Sequence, residues 1–187
     1  SAAGAGLEIA YESPIQPDSE DYRPVLIKAR DAEPQAIVHL GYSPDGARIV
    51  RQLREIGFTG QFFGGQNTPQ FLEAAGSAAE GTIIIENFLI GNDSLEVVDF
   101  NKRFKAKFGH DPSTFSAYSY DAVNILAEAV RRGGATREGI FKALSDGGTW
   151  QAVQFGDFEF SPERRPGDVK LLPVTVKDGA YAPVTTS

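Results

Sequence analysis

The chain has no cysteine and no methionine, a single tryptophan and two histidines in 187 residues. Without cysteine there is no disulfide, no thiolate metal site and no thiol nucleophile; the compartment stays open, because many exported proteins also lack disulfides. Methionine is missing even at residue 1, which points to a chain processed or cut from something longer. Basic residues are in deficit, 18 against 25 acidic. The net charge of −7 gives no footprint for phosphate backbones or anionic lipid and argues against nucleic acid as a partner. No run approaches the ~20 apolar residues of a membrane helix, and the start carries no signal-peptide pattern, as is expected of a mature exported chain that has lost it. No GxSxG, P-loop or HExxH motif occurs, and Glu80 and Glu86 have no identifiable acid or base partner, so an enzyme reading finds no support. Gly4 and Gly6 precede a strand pattern instead of following one, which removes a dinucleotide site. His39 and His110 lack a second ligand at metal spacing. No cofactor is expected.

What is there is ordinary globular material, 41% hydrophobic and 23% charged, enough to bury a core. Residues 36–66 read as one strand, helix and strand unit. Ala36 to Leu40 is a short apolar run, expected to be buried on both faces as parallel strands are. Ser43 is expected to cap the next helix, with Pro44 in its first turn and Asp45 at the positive end of its dipole. Ala47, Val50, Leu53 and Ile56 form its apolar stripe, Arg48, Arg51, Gln52 and Glu55 face water, and Gly57 ends it. Gln61 to Gly64 is the next strand. Its carboxyl end, Gly64 to Asn67, is expected beside the Gly41-Tyr42-Ser43 loop, and the carboxyl edge of a parallel sheet is where ligands bind.

The same alternation extends both ways. Leu7 to Tyr11 reads as a first strand, followed by a helix beginning near residues 18–21 and ending before Pro34. Thr68 caps a short helix holding Phe71, Leu72 and Ala75, and Thr82 to Ile85 reads as a buried strand. Asn92-Asp93-Ser94 caps a helix running to Gly109, with Leu95, Val98, Phe100, Phe104 and Phe108 among its apolar positions. Ser113 or Thr114 opens another helix reaching Gly133, and Thr136 caps one over 137–145. From Trp150 the period changes to two, and a hairpin is expected around Lys177-Asp178-Gly179. Glu163-Arg164-Arg165 reads as a solvated turn.

The residues of the central unit also resemble a known family. A strand ending Gly41-Tyr42, a helix of the form Ala-Arg-x-x-Arg-Gln-x-Arg-x-x-Gly (47–57) and a strand ending Gly64-Gly65 are similar to the C-terminal lobe of type I periplasmic solute-binding proteins of ABC importers. The branched-chain amino-acid-binding group is the nearest in pattern. The likeness continues through Phe71-Leu72, Ala75-Gly76, Ala78 to Gly81, Phe104 to Gly109, and Tyr118-x-Tyr120-Asp121-Ala122-Val123-Asn124. It implies an α/β fold: a doubly wound parallel sheet lobe, with helices belonging to a second lobe that is largely missing. By that analogy residues 1–88 are an incomplete C-terminal lobe, 89–150 return to the N-terminal lobe, and 151–187 hold crossover strands and a C-terminal hairpin. An entire N-terminal lobe, with the first strand and most of the first helix of the second, would stand before Ser1. Another polypeptide supplies it or the sequence is a fragment, and the helices over 94–145 are expected to leave apolar faces uncovered.

The resemblance implies a non-enzymatic solute-binding component, periplasmic or extracellular, a lipoprotein form included. It would close two lobes on a small amino acid or carboxylate ligand and deliver it to an ABC permease; a sensor or receptor domain of the same fold is the alternative. Tyr42, at a strand's carboxyl end, is expected to line the cleft, its bland role being a cover over the next helix. Gln66 stands where amino-acid-binding relatives carry an acidic residue for the ligand's ammonium. An amide there suits a neutral or carboxylate ligand, unless it is only a solvent-facing turn residue. Phe88 is a candidate cleft wall or hinge-packing residue. Ser43 is a candidate contact, its cap role being the stronger expectation. Phe115, Tyr118 and Tyr120 read as an aromatic core cluster at a helix start.

Overall fold

The computed structural model describes residues 3–87, 91–167, 169 and 171–184. In chain order its helices and strands are α1 (Arg23–Asp31), β1 (Ala36–Val38), α2 (Ser43–Glu55), β2 (Gln61–Phe63), α3 (Pro69–Ala75) and β3 (Ile83–Glu86), then α4 (Leu95–Phe108), α5 (Thr114–Gly133), α6 (Arg137–Ser145), β4 (Trp150–Ala152), β5 (Gly156–Phe158), β6 (Leu172–Lys177) and β7 (Ala180–Pro183). Contacts divide them into two units, Ser1–Ile85 with Pro173–Ser187, and Glu86–Leu172.

The first unit is built on a five-stranded sheet in the order β1-β2-β3-β6-β7. β1, β2 and β3 run parallel, and β6 and β7 form an antiparallel hairpin turned by Asp178 and Gly179, both at positive φ. That turn is held by Glu80, whose carboxylate accepts the N–H groups of Asp178 and Gly179. α2 forms as its residues dictate. Pro44 and Asp45 occupy the first turn, Ala47, Val50 and Leu53 are buried on one stripe, and Gly57 leaves the helix at φ 82°. Arg54 then reaches over the exit to the carbonyls of Phe58 and Gly60. Phe62, Phe71, Leu53 and Val50 meet in one continuous core with Leu26, Phe58, Ile84 and Val176. Fully burying each large apolar side chain contributes about 1.5–3 kcal/mol.

Four expectations fail in this unit, all through neighbours that periodicity does not reveal. Leu7 to Tyr11 forms no strand; it pairs with nothing in the sheet and its apolar side chains are exposed. β1 is not buried on both faces, because it is the sheet's edge: Val38 is 63% and Leu40 93% exposed. β3 buries Thr82 and Ile84 but exposes Ile85. On α2, Gln52 does not face water. Its amide is buried, accepting Tyr22 N–H at 2.7 Å and donating to Glu20 O at 2.9 Å, and so docks the loop before α1.

The second unit is helical. Side-chain caps start all three long elements: Ser94 for α4, Ser113 with Ser116 as a capping box for α5, and Thr136 for α6. A Cβ on Gly133 would lie 2.0 Å from Gly139 O, so α5 and α6 approach as only glycine permits. Ala129, Ala143, Ala152 and Phe158 pack around the buried Trp150, over whose ring the Arg132 guanidinium sits at 4.1 Å. A separate cluster joins Val97, Phe100 and Ala117. On α4 the buried positions are therefore Val97 and the expected Phe100; Leu95 and Val98 are exposed. The expected aromatic core at the start of α5 is not one either. Phe115 and Tyr118 face solvent, while Tyr120 packs on Phe100 beneath Arg103. Glu163 to Arg165 are exposed in a turn as expected, and the Arg164 guanidinium lies over the Phe141 ring at 4.8 Å. No described helix is long and apolar enough to cross a membrane.

Candidate ligand-binding edge

β1 and β2 end side by side, His39 N–H donating to Phe63 O at 2.8 Å. The loops that leave them meet as the sequence predicts. Gly64 and Gly65 turn the second loop at φ 153° and 83°, and a Cβ on Gly65 would collide with the Phe71 ring at 2.4 Å, so this turn requires glycine. Gln66 is thereby brought to the start of α2, where its Oε1 accepts Ser43 N–H at 3.0 Å. The Tyr181 hydroxyl, from β7, fixes the same loop from behind: it accepts Thr68 N–H at 3.1 Å and lies 2.9 Å and 2.8 Å from the carbonyls of Gln66 and Thr68.

This arrangement changes the role expected for Ser43. It is the first helical residue and makes no cap; Tyr42 occupies the N-cap position, and its side chain makes no cap either. The orphan N–H is instead satisfied by Gln66 from the neighbouring loop. Ser43 Oγ is buried 3.2 Å from Thr68 Oγ1, whose oxygen also accepts Phe71 N–H to cap α3. Gln66 is consequently no solvent-facing turn residue. With Oε1 committed, its Nε2 is left as a donor, since the opposite amide orientation would set N–H against N–H. Tyr42 is 71% exposed, its ring standing off the helix start. Tyr42, Ser43 and Gln66 thus share one edge, and Phe88 lies outside the described residues.

Two residues at this edge escaped the sequence. Tyr181 carries no local signal, being 115 residues from the carbonyl it holds. His39 reads as a strand residue, yet its ring turns into the loops, with burial holding its pKa below the ordinary imidazole value and Asp45 opposing that. The edge offers donors and aromatic surface and no carboxylate among Gly41 to Ser43 and Gly64 to Asn67. Among the described residues no cluster of three His, Cys, Asp or Glu exists to hold a metal.

A family model described as periplasmic binding protein matches residues 1–180. The chain belongs to the periplasmic binding protein family. A Leu/Ile/Val-binding protein homolog 1 of Brucella suis biovar 1 is 28% identical over 170 residues, which is 88% of this chain and 43% of that protein. Among solved structures, a leucine-binding protein of Thermotoga maritima MSB8 superimposes with a TM-score of 0.81 at 25% identity, covering 91% of this chain and 49% of that one. A branched-chain amino-acid transporter substrate-binding protein of Streptococcus pneumoniae, solved with isoleucine, gives 0.78 at 25%, covering 91% and 50%. These relatives are named as binding proteins for leucine and other branched-chain amino acids. The chain spans about half the length of the relatives it matches.

Proposed function

We propose that this chain carries one wall of the ligand cleft of an extracytoplasmic solute-binding component that serves an ABC permease, and that its ligand is a carboxylate with an apolar or aromatic body. The opposite wall comes from an N-terminal lobe, encoded in the same gene or in another chain. The observation that carries the ligand class is the bond between Ser43 N–H and Gln66 Oε1. With Oε1 so engaged, the amide keeps Nε2 as a donor on the edge that also carries Tyr42. Two hydrogen-bond donors and an aromatic face suit a carboxylate. A buried ammonium would find no counter-charge on this wall. Family membership supports the transport role and a periplasmic or extracellular location.

Calorimetry with benzoate and leucine tests this reading, using the chain completed by its N-terminal lobe and the Gln66→Glu variant of that protein. A glutamate can still accept Ser43 N–H while adding the charge that an ammonium needs. Benzoate binding is expected to weaken and leucine binding to strengthen, each by about tenfold, the equivalent of one charge-assisted bond gained or lost. Tight leucine binding by the unmodified chain, unchanged in Gln66→Glu, would overturn both the ligand class and the role of the amide.

A further inference from the structure

His39 is a polar side chain in a costly place. Both ring nitrogens are sealed from solvent, and neither has a hydrogen-bond partner among the described residues. A neutral imidazole carries one donor and one acceptor, and each is penalised when buried unpaired. The ring's surroundings are three glycines. A Cβ on Gly41 would lie 2.5 Å from Nε2, one on Gly46 would lie 3.2 Å from Nδ1, and one on Gly64 would lie 2.9 Å from the histidine's own Cβ. Gly46 in turn abuts Gly65, its Cβ position being 3.1 Å from that Cα. The loop carrying Tyr42 and the first turn of α2 therefore abut the imidazole itself, while the loop carrying Gln66 meets the histidine at its Cβ and reaches the α2 turn through Gly65.

We propose that His39 is a positioning residue: its neutral ring is the spacer that holds the Tyr42 loop and the Gln66 loop at the separation where Gln66 takes the Ser43 N–H. The geometry stands independently of any ligand; its consequence for binding rests on the function proposed above. Phenylalanine would fill the same space without titrating, whereas alanine would leave a gap into which the glycine-rich loops can fall.

Charge explains why the neutral form matters. From α2, Asp45 acts on the imidazole; Gly41 to Ser43 on one side and Gly64 to Asn67 on the other contribute no charged group. Both donors that reach the Asp45 carboxylate, the Tyr22 hydroxyl at 2.6 Å and Asp18 N–H at 3.1 Å, bond its Oδ1. Protonation would give the ring a second donor with no acceptor and set a cation under the positive end of α2. The ring then leaves its cradle, and the two loops separate. Because the folded pKa lies below the ordinary value, folding favours the neutral ring. This contribution to stability is complete above about pH 6.5 and declines as the pH falls through the folded pKa.

Two-dimensional NMR of the whole chain reads this directly from the Ser43 backbone amide and the Gln66 side-chain amide between pH 8 and pH 5. Both signals are expected to move together with the His39 ring, at one midpoint below the ordinary histidine range. In His39→Phe they hold still over that interval, and in His39→Ala they are displaced at every pH. Calorimetry with benzoate adds the functional arm: affinity should fall by about tenfold per pH unit below that midpoint in the native sequence and stay flat in His39→Phe. Amide signals that ignore the His39 titration, or that still titrate in His39→Phe, overturn the proposal. So does benzoate binding that strengthens on acidification, which would mean the imidazolium remains in place as a counter-charge. If the amides follow His39 while no variant binds benzoate, the positioning role stands and the ligand assignment falls.

Discussion

The two units spend similar residues in different ways. In the first, α2 and α3 lie against a five-stranded sheet, and Val50, Leu53, Phe62 and Phe71 all vanish into one core. In the second, the longest helix of the chain buries Thr114, Ala117, Asp121 and Ala129, while Phe115, Tyr118, Val123 and Leu126 stay exposed at helical spacing on another side. An amphipathic pattern states that a helix face seeks cover. It does not state that the cover lies in the same polypeptide, and here the two units differ in how far that demand is met.

The largest effect should come from the centre of the well-covered unit. Phe62 has no solvent exposure and lies on the middle of the β1-β2-β3 arrangement, so Phe62→Ala combines lost transfer energy with a cavity and should cost about 3–5 kcal/mol. Hydrogen exchange of the β2 amides measures it. A loss under about 1 kcal/mol would mean that this core is no better packed than the second unit's and would dissolve the contrast.

Next in size is the polar centre of the helical unit. Asp121 is buried on α5, and its carboxylate accepts Val153 N–H at 2.8 Å, Gln154 N–H at 3.2 Å and Gln154 Nε2 at 3.1 Å, tying the strand exit to the helix. Asp121→Asn turns donors toward donors and should cost about 1–3 kcal/mol, read by the unfolding transition of Trp150 fluorescence. Burial raises the Asp121 pKa more than these bonds lower it. The folded state therefore holds the proton more tightly than the unfolded one. This group's contribution is greatest at acid pH and declines as pH rises above about 4 through the folded pKa. The sign is opposite to that at His39, whose contribution is lost on acidification. A native chain whose Trp150 transition shows no such decline relative to Asp121→Asn would remove that distinction.

What the sequence made legible follows the same division. Helix starts are local chemistry, and Ser94, Ser113, Thr68 and Thr136 all cap where their spacing to the next apolar run says they should. The meeting of the Gly41 and Gly64 loops was legible too, because parallel strands joined by one helix must end on the same edge. Burial was not. Leu40 and Ile9 look like core residues until β1 is found at the edge of the sheet and residues 7–11 outside it, and Gln52 looks solvated until a loop 30 residues earlier folds back onto it. At the candidate edge, Tyr42 and Gln66 could be read from position, but the Ser43 to Gln66 bond and the His39 cradle depend on loop geometry between distant positions. In the sequence that cradle leaves only glycines at 41, 46 and 64, none of which announces a histidine.

The smallest expected change in stability is also the one that most sharpens the comparison. Leu126 is 50% exposed on α5, in line with Phe115, Ala122 and Val123, so it contributes little that a serine would forfeit. Leu126→Ser should alter stability by no more than about 0.5 kcal/mol, the range of substitutions away from core contacts. The same change should visibly reduce binding of a fluorescent apolar dye, since it removes a branched side chain from the middle of the uncovered stripe. Phe62→Ala and Leu126→Ser thus pair a large loss of stability with a negligible one for apolar residues that period alone would rank alike. If Leu126→Ser destabilises the chain by as much as about 2 kcal/mol, the stripe is covered in solution, by a second copy or by a rearrangement of the helices. If stability holds while dye binding falls, the face is open in the chain as it stands in solution.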